Sequence, residues 1–253
     1  MNREKRRSLF ELFSEEVSVG LYEYLDWSKA KLILTSNLSD IKLRNIPKSI
    51  TFKQENVTDV IEENSLVLVF CSARNPGGGV SRGSIAQEED ISLTTSWFFQ
   101  VKDIKGFYLD KHANAINTDN MIYVENGFLL KDKDGNDISP ISVSFVGATA
   151  PNIKGMKDQG NFIDYKLIKK TLAFRVENIL KLATQQNKET LILGAWGCGV
   201  FGLSSEMVAE VFNEKLNEGW FDGNIIFSIP DEKMLNNFEK IIKTPLKKIS
   251  KKY

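Results

Sequence analysis

Apolar and polar positions along the chain alternate in patterns that give strands and helices in turn. Residues 3–25 carry Leu9, Phe10, Leu12, Phe13, Val17, Leu21 and Leu25 at roughly helical spacing, which predicts a helix. Short apolar runs at 31–35 and 49–53 read as strands. Residues 59–64 read as a short helix leading into 66–71, a run apolar on both faces, as a central buried strand is. Further strands are expected at 141–147, 190–194 and 224–229. The clearest helix covers 164–186, where Ile168, Leu172, Val176, Ile179, Leu180 and Ala183 form one stripe. Ser204 is placed to cap a helix that buries Met207, Val208, Val211, Phe212 and Leu216, and a last helix follows Pro230. The stretch 100–138 reads as irregular, with a hairpin turn at 132–135.

Strands alternating with helices predict an α/β fold: three layers, α/β/α, around a mixed, mainly parallel sheet covered on both faces. Residues 1–30 would be an N-terminal helical extension and 243–253 a basic tail. No repeat or change of composition divides the chain, so residues 1–253 are expected to form one domain. In such sheets ligands bind beyond the carboxyl ends of the strands. Both glycine-rich stretches of this sequence fall there.

The first runs from Gly194 to Gly202, with four glycines in nine residues between a buried strand and a helix start. Backbone amides in such a loop can converge on an anion, and the helix near Ser204 would add its positive end. No Lys-Ser/Thr follows, which excludes a Walker loop, and the spacing does not fit the dinucleotide G-x-G-x-x-G. A tight strand–helix turn without any ligand would use the same glycines equally well. Trp196 and Phe201 either belong to the core or pack on a sugar or base. Cys198 reads as a small packing residue, although amide dipoles in such a loop can lower a thiol's pKa.

The second stretch is Asn75-Pro-Gly-Gly-Gly79, followed by Gln87-Glu88-Glu89. Ser84 and Gln87 read as a capping box that starts a helix at Ile85. Adjacent carboxylates on a first turn point roughly 100° apart, so one could hold a substrate hydroxyl while the other reaches a scissile bond. An isolated acidic first turn would merely complement the helix dipole. Its position directly after a triple glycine at a strand end is what turns it toward chemistry.

Composition narrows the classes. Lys+Arg and Asp+Glu are equal at 33 each, and this balance argues against broad electrostatic binding of nucleic acid. No run of about 18 apolar residues exists, and the basic, then amphipathic start lacks a signal peptide's apolar centre. No membrane partner is expected. Two distant cysteines, Cys71 and Cys198, suit a reducing compartment, so a cytoplasmic protein is expected, and a monomer. The single histidine, His112, reads as a loop or surface residue and argues against histidine triads and zinc sites. Carboxylates must therefore do any proton work, with no metal and no cofactor. The lysines from Lys243 to Lys252 read as a solvated tail.

Triple glycine, a short spacer and QEE, together with the blocks 75–79, 86–89, 148–152, 194–202 and 227–231 in this order, resemble the bacterial type of poly(ADP-ribose) glycohydrolase. That family is a branch of the macrodomain superfamily, and the likeness spans about residues 60–240. The resemblance implies a macrodomain-like fold and hydrolysis of the ribose–ribose O-glycosidic bonds of poly(ADP-ribose), releasing ADP-ribose. It makes Glu89 the catalytic acid and gives Glu88 the distal-ribose hydroxyls. Gln87 would order the loop. Gly77, Gly78 and Gly79 would line the diphosphate and distal ribose, with Asn75 as a ribose contact. Gly197, Cys198, Gly199, Val200 and Phe201 would wrap the diphosphate, Phe201 against the ribose.

Three segments depart from the family pattern: Trp97-Phe-Phe99, Leu203, and Glu125-Asn126-Gly127. They bear on polymer preference and on adenosine contacts. The substrate partner is thus an ADP-ribose polymer or an ADP-ribosylated protein. The alternatives are a mono-ADP-ribosyl hydrolase acting on protein or nucleic acid, a non-catalytic ADP-ribose reader, and a phosphate-binding structural module. The paired carboxylates argue against the reader.

Overall fold

The computed structural model describes residues 1–39, 45–109 and 115–242. His112 and the basic tail from Lys243 lie outside them. At the centre runs β3 (Leu66–Phe70), where side chains alternate between two apolar layers. Leu66 and Leu68 face one layer, and Val67 and Val69 the other, all fully buried. A strand buried on both sides needs no polar face, which explains its unbroken apolar run.

Seven strands form one sheet, in the order β1-β4-β5-β3-β6-β7-β2. They are β1 (Lys31–Ile33), β2 (Ser49–Lys53), β3, β4 (Met121–Lys131), β5 (Asp137–Ala148), β6 (Thr190–Leu193) and β7 (Asn224–Ser228). β3 is parallel to both neighbours, β5 and β6, and the β6–β7 and β7–β2 pairs are parallel too. Only β1–β4 and β4–β5 run antiparallel. The sheet is mixed and mainly parallel, as expected.

One face is covered by α4 (Ile153–Asp158), α5 (Tyr165–Gln185), α6 (Ser205–Leu216) and α7 (Glu232–Ile241). The other carries α2 (Gln87–Thr94) and α3 (Trp97–Val101), through Ile91, Trp97 and Val101. Outside that layer lies α1 (Arg3–Ser18), which packs Phe10 on Val80 and Leu93, and Phe13 beside Leu130.

Several boundaries differ from expectation. The first helix stops at Ser18 rather than 25, because the chain turns at Gly20 with φ +82°. The strand expected over 31–35 ends at Ile33, and Thr35–Asn37 form a 3₁₀ turn. The helix expected over 59–64 is only a 3₁₀ turn at Val57–Asp59. The irregular stretch 100–138 holds the eleven-residue β4, which joins β5 in a hairpin whose turn is where the sequence placed it. Glu125 and Asn126 interrupt the apolar run at a register shift between Val124 and Gly127, and this bulge hides the strand's period.

Candidate functional site

A cavity of about 540 Å³ opens at the carboxyl ends of β3, β6 and β7. One wall is built from Asn75, Gly78, Gly79 and α2, the other from Trp196, Gly197, Gly199, Val200 and Phe201, and Ile229, Pro230 and Asp231 also line it. Both glycine-rich stretches meet there, although more than a hundred residues separate them.

The first wall is assembled around α2. Gln87 does not turn back to Ser84. Its side-chain amide accepts from Phe70 N–H (2.8 Å) and donates to Leu68 carbonyl (2.7 Å). β6 pairs with β3 only as far as Val67, so Gln87 completes the hydrogen bonding of a strand end that has run out of partner. The expected capping box at Ser84 is thereby corrected. The helix starts at Gln87, its N-cap is Ala86, and no side chain caps it.

Glu88 and Glu89 then fall on the first turn, 2% and 8% exposed. Glu89 Oε1 accepts from Gly79 N–H at 2.8 Å, and Glu88 Oε2 from Ser72 N–H at 2.6 Å. Each carboxyl is thus pinned by a backbone amide of the glycine loop or of the strand end. Gly78, at φ +62°, leaves the space this needs: a Cβ there would lie 2.5 Å from Glu89 Oε1. Burial pushes the Glu88 carboxyl from 4.5 up to about 8, and the neighbouring Glu89 carboxylate adds to the rise. The amides of Ser72 and Gly77 and the Trp97 indole oppose it. Glu88 Oε1, Trp97 Nε1 and Tyr108 Oη are all buried without a hydrogen-bond partner of ordinary geometry.

Opposite lies the loop after β6. Gly197 and Gly202 take φ of +78° and +75°, and Gly199 has open space where a Cβ would stand. Val200 is exposed and Phe201 half-buried on the cavity wall. Trp196 also touches the cavity but is 1% exposed, so the core alternative holds for it. The expected dipole contribution of the following helix is not met. The α6 terminus is closed by Ser204, which accepts from Met207 N–H, and Glu206 occupies its first turn; neither borders the cavity.

Of the expected site residues, Asn75, Gly78, Gly79, Gln87, Glu88, Glu89, Gly197, Gly199, Val200 and Phe201 come together on the wall. Gly77 and Cys198 do not. Gly77 packs backwards, where a Cβ would meet the Phe98 ring at 2.7 Å. The Cys198 thiol turns toward Trp196 carbonyl and is buried, which pushes it up to about 12. It is a packing residue.

Two charged wall residues, Arg82 and Asp90, were not anticipated. Asp90 is bound at 2.7 Å by Arg6 of α1, whose Nε also donates to Ser84 carbonyl. Arg6 stands in the basic start of the chain, where no site residue is expected from the sequence. The signal that marks it is its place on the stripe Arg6, Phe10, Phe13, where all three are buried. Two of the three departures have packing roles. Phe98 and Phe99 pack edge-on against Phe10 and Phe13, centroids 4.9 and 5.0 Å apart, and so dock α1. Leu203 fills the space behind Gly197. Among the described residues, no three His, Cys, Asp or Glu side chains gather as a metal site would require. None of the described helices is long and apolar enough to cross a membrane.

Comparison with known proteins fits this geometry. Residues 24–132 match the family model described as microbial-type PARG, catalytic domain. No curated protein matches the sequence. Among solved structures, poly(ADP-ribose) glycohydrolase from Thermomonospora curvata is similar with a TM-score of 0.78 and 22% identity, over 94% of this chain and 99% of that one. The same protein bound to the inhibitor ADP-HPD gives 0.78 and 23%, with the same coverage. The enzyme from Deinococcus radiodurans in complex with ADP-ribose gives 0.76 and 25%, over 85% of this chain and 95% of that one.

Proposed function

From a chain whose residues 24–132 match the microbial-type PARG catalytic domain and whose fold is that of bacterial poly(ADP-ribose) glycohydrolases, we propose a hydrolase that cleaves the ribose–ribose O-glycosidic bonds of poly(ADP-ribose) and releases ADP-ribose. The observation that carries this is Glu89: a carboxyl on the cavity wall, fixed by the Gly79 amide, opposite a glycine loop suited to a diphosphate. Such a cavity holds a terminal ADP-ribose with its diphosphate against the amides of residues 197–201 and its distal ribose between the two walls. The similar Deinococcus protein in complex with ADP-ribose supports ADP-ribose as the ligand class.

Cleavage at an anomeric carbon passes through an oxocarbenium-like state. Glu89 gives a proton to the leaving ribose oxygen as the glycosidic C–O bond breaks. Water then adds its oxygen to the anomeric carbon, and its proton returns to Glu89. Glu88, raised to about 8, keeps its proton at neutral pH, and holding a ribose hydroxyl requires its carboxyl to turn from Ser72 toward the cavity. The pair therefore sets one negative charge fewer against an anionic substrate. Gln87 holds α2 to β3, so both carboxyls keep their geometry when the cavity fills.

Glu89→Gln should retain ADP-ribose affinity within a few-fold and lose turnover by about 10³-fold or more. Calorimetry and single-turnover release of ADP-ribose measure the two. Near wild-type turnover in this variant would remove Glu89 from the mechanism. Cytoplasmic location and a monomeric state belong to the same reading; sedimentation checks the second.

A further inference from the structure

Four acidic residues border the cavity: Glu88, Glu89, Asp90 and Asp231. Asp90 is tied to Arg6, and Asp231 caps α7 by accepting from Met234 N–H. Among the described residues that border the cavity, one cation stands against them, Arg82, at the end of the 3₁₀ turn Val80–Arg82. Its side chain is exposed, and among the described residues it forms no ion pair. Its Nη2 lies 3.4 Å from the point a Cβ on Gly79 would occupy. Gly79 is the residue whose amide holds Glu89. The guanidinium therefore stands on the wall that carries Glu89, next to the glycine whose amide holds that carboxyl, and across the cavity from the glycine loop of 197–201.

Position decides what it can meet. The general acid must touch the leaving oxygen, so whatever leaves must pass out along the Glu89 wall. The diphosphate of the bound unit is assigned to the other wall. We infer that Arg82 forms an anion subsite for the leaving group, taking a phosphate of the next ADP-ribose unit in the chain. This rests on the proposed reaction and deepens it. A nucleotide leaving group carries a diphosphate for Arg82 to bind, whereas a modified amino-acid side chain does not. Arg82 is thus a residue that favours polymer over single units. A planar guanidinium suits phosphate oxygens, and a single solvent-exposed contact of this kind is worth roughly a fivefold change.

The test compares two substrates with the whole chain: poly(ADP-ribose), and ADP-ribose joined to an uncharged phenol through its anomeric carbon. Arg82→Ala should lower kcat/KM on polymer roughly fivefold more than on the phenyl ether, through KM, with Arg82→Lys recovering part of the loss. Raising salt to about 0.5 M should narrow the gap, because an exposed charge is screened. Equal losses on both substrates, or no loss on polymer, would overturn the subsite while leaving the glycohydrolase reading intact. A wild-type protein that cleaves the phenyl ether but not the polymer would overturn the polymer reading, and the subsite with it.

Discussion

Glu88 shows how a residue's surroundings set its chemistry. It sits one position from Glu89, the proposed acid, but its oxygen reaches back beneath the strand end to Ser72, with the Trp97 indole beside it. Burial there favours the neutral form, and its pKa rises to about 8. A raised carboxyl pKa stabilises the fold fully below the unfolded value near 4.5, and that contribution is lost as pH rises through the folded value. Between about pH 5 and pH 8 the wild type should lose stability relative to Glu88→Gln by at most about 1.4 kcal/mol per pH unit. Thermal unfolding of both proteins across that range measures it, and parallel pH curves would show that Glu88 titrates normally. The pairing of Glu88 with Glu89 was legible in the sequence from its spacing after three glycines. Which of the two is buried deeper was not, because that depends on Ser72 and Trp97, brought in by the fold.

Among elements, α1 is the one whose role is most easily underrated. It lies outside the stretch that matches the family, and its sequence suggests a surface helix. Yet Arg6 grips Asp90 on α2 and the Ser84 carbonyl before it, and a Cβ on Gly83 would collide with the Arg3 carbonyl. Arg6→Gln should cost about 2 kcal/mol of stability, since it strands a partly buried carboxylate. It should also reduce turnover by letting α2 shift. Adding Asp90→Asn removes the stranded charge and should restore part of both losses; additive losses in that double-variant cycle, read by chemical denaturation and initial rates, would show the two residues to be uncoupled. Regular elements such as β2, β3, β6, β7 and α5 were readable because one periodicity ran through each of them. β4 was not, since its bulge breaks the period, and the start of α2 was misread because Gln87 serves a neighbouring strand rather than its own helix end.

At the scale of the whole molecule, the cavity is a seam. Its walls come mainly from residues 56–90 and from residues 195–234, with Ala150 beside them. A ligand that spans the seam ties both halves and has no counterpart in the unfolded chain. ADP-ribose at about a hundred times its dissociation constant should add about 2.7 kcal/mol, or roughly 5–10 °C in Tm for a chain this size. Differential scanning calorimetry reads this directly, and Glu89→Gln should show the same shift. No shift at millimolar ADP-ribose would count against the assigned ligand. The fold class and five ordered blocks of this seam were visible in the sequence. Gly77, Cys198 and the α6 end, placed there by proximity in the chain, do not border it.

Each carboxyl of the pair also has its own backbone amide: Gly79 N–H for Glu89 and Ser72 N–H for Glu88. The protons of two neighbouring acids are ordinarily inseparable in a pH–rate profile, which reports the pair and not its members. Here two distinct nitrogen resonances act as independent gauges, one per carboxyl. The order in which the acids lose their protons becomes something a magnetic-resonance titration can assign atom by atom.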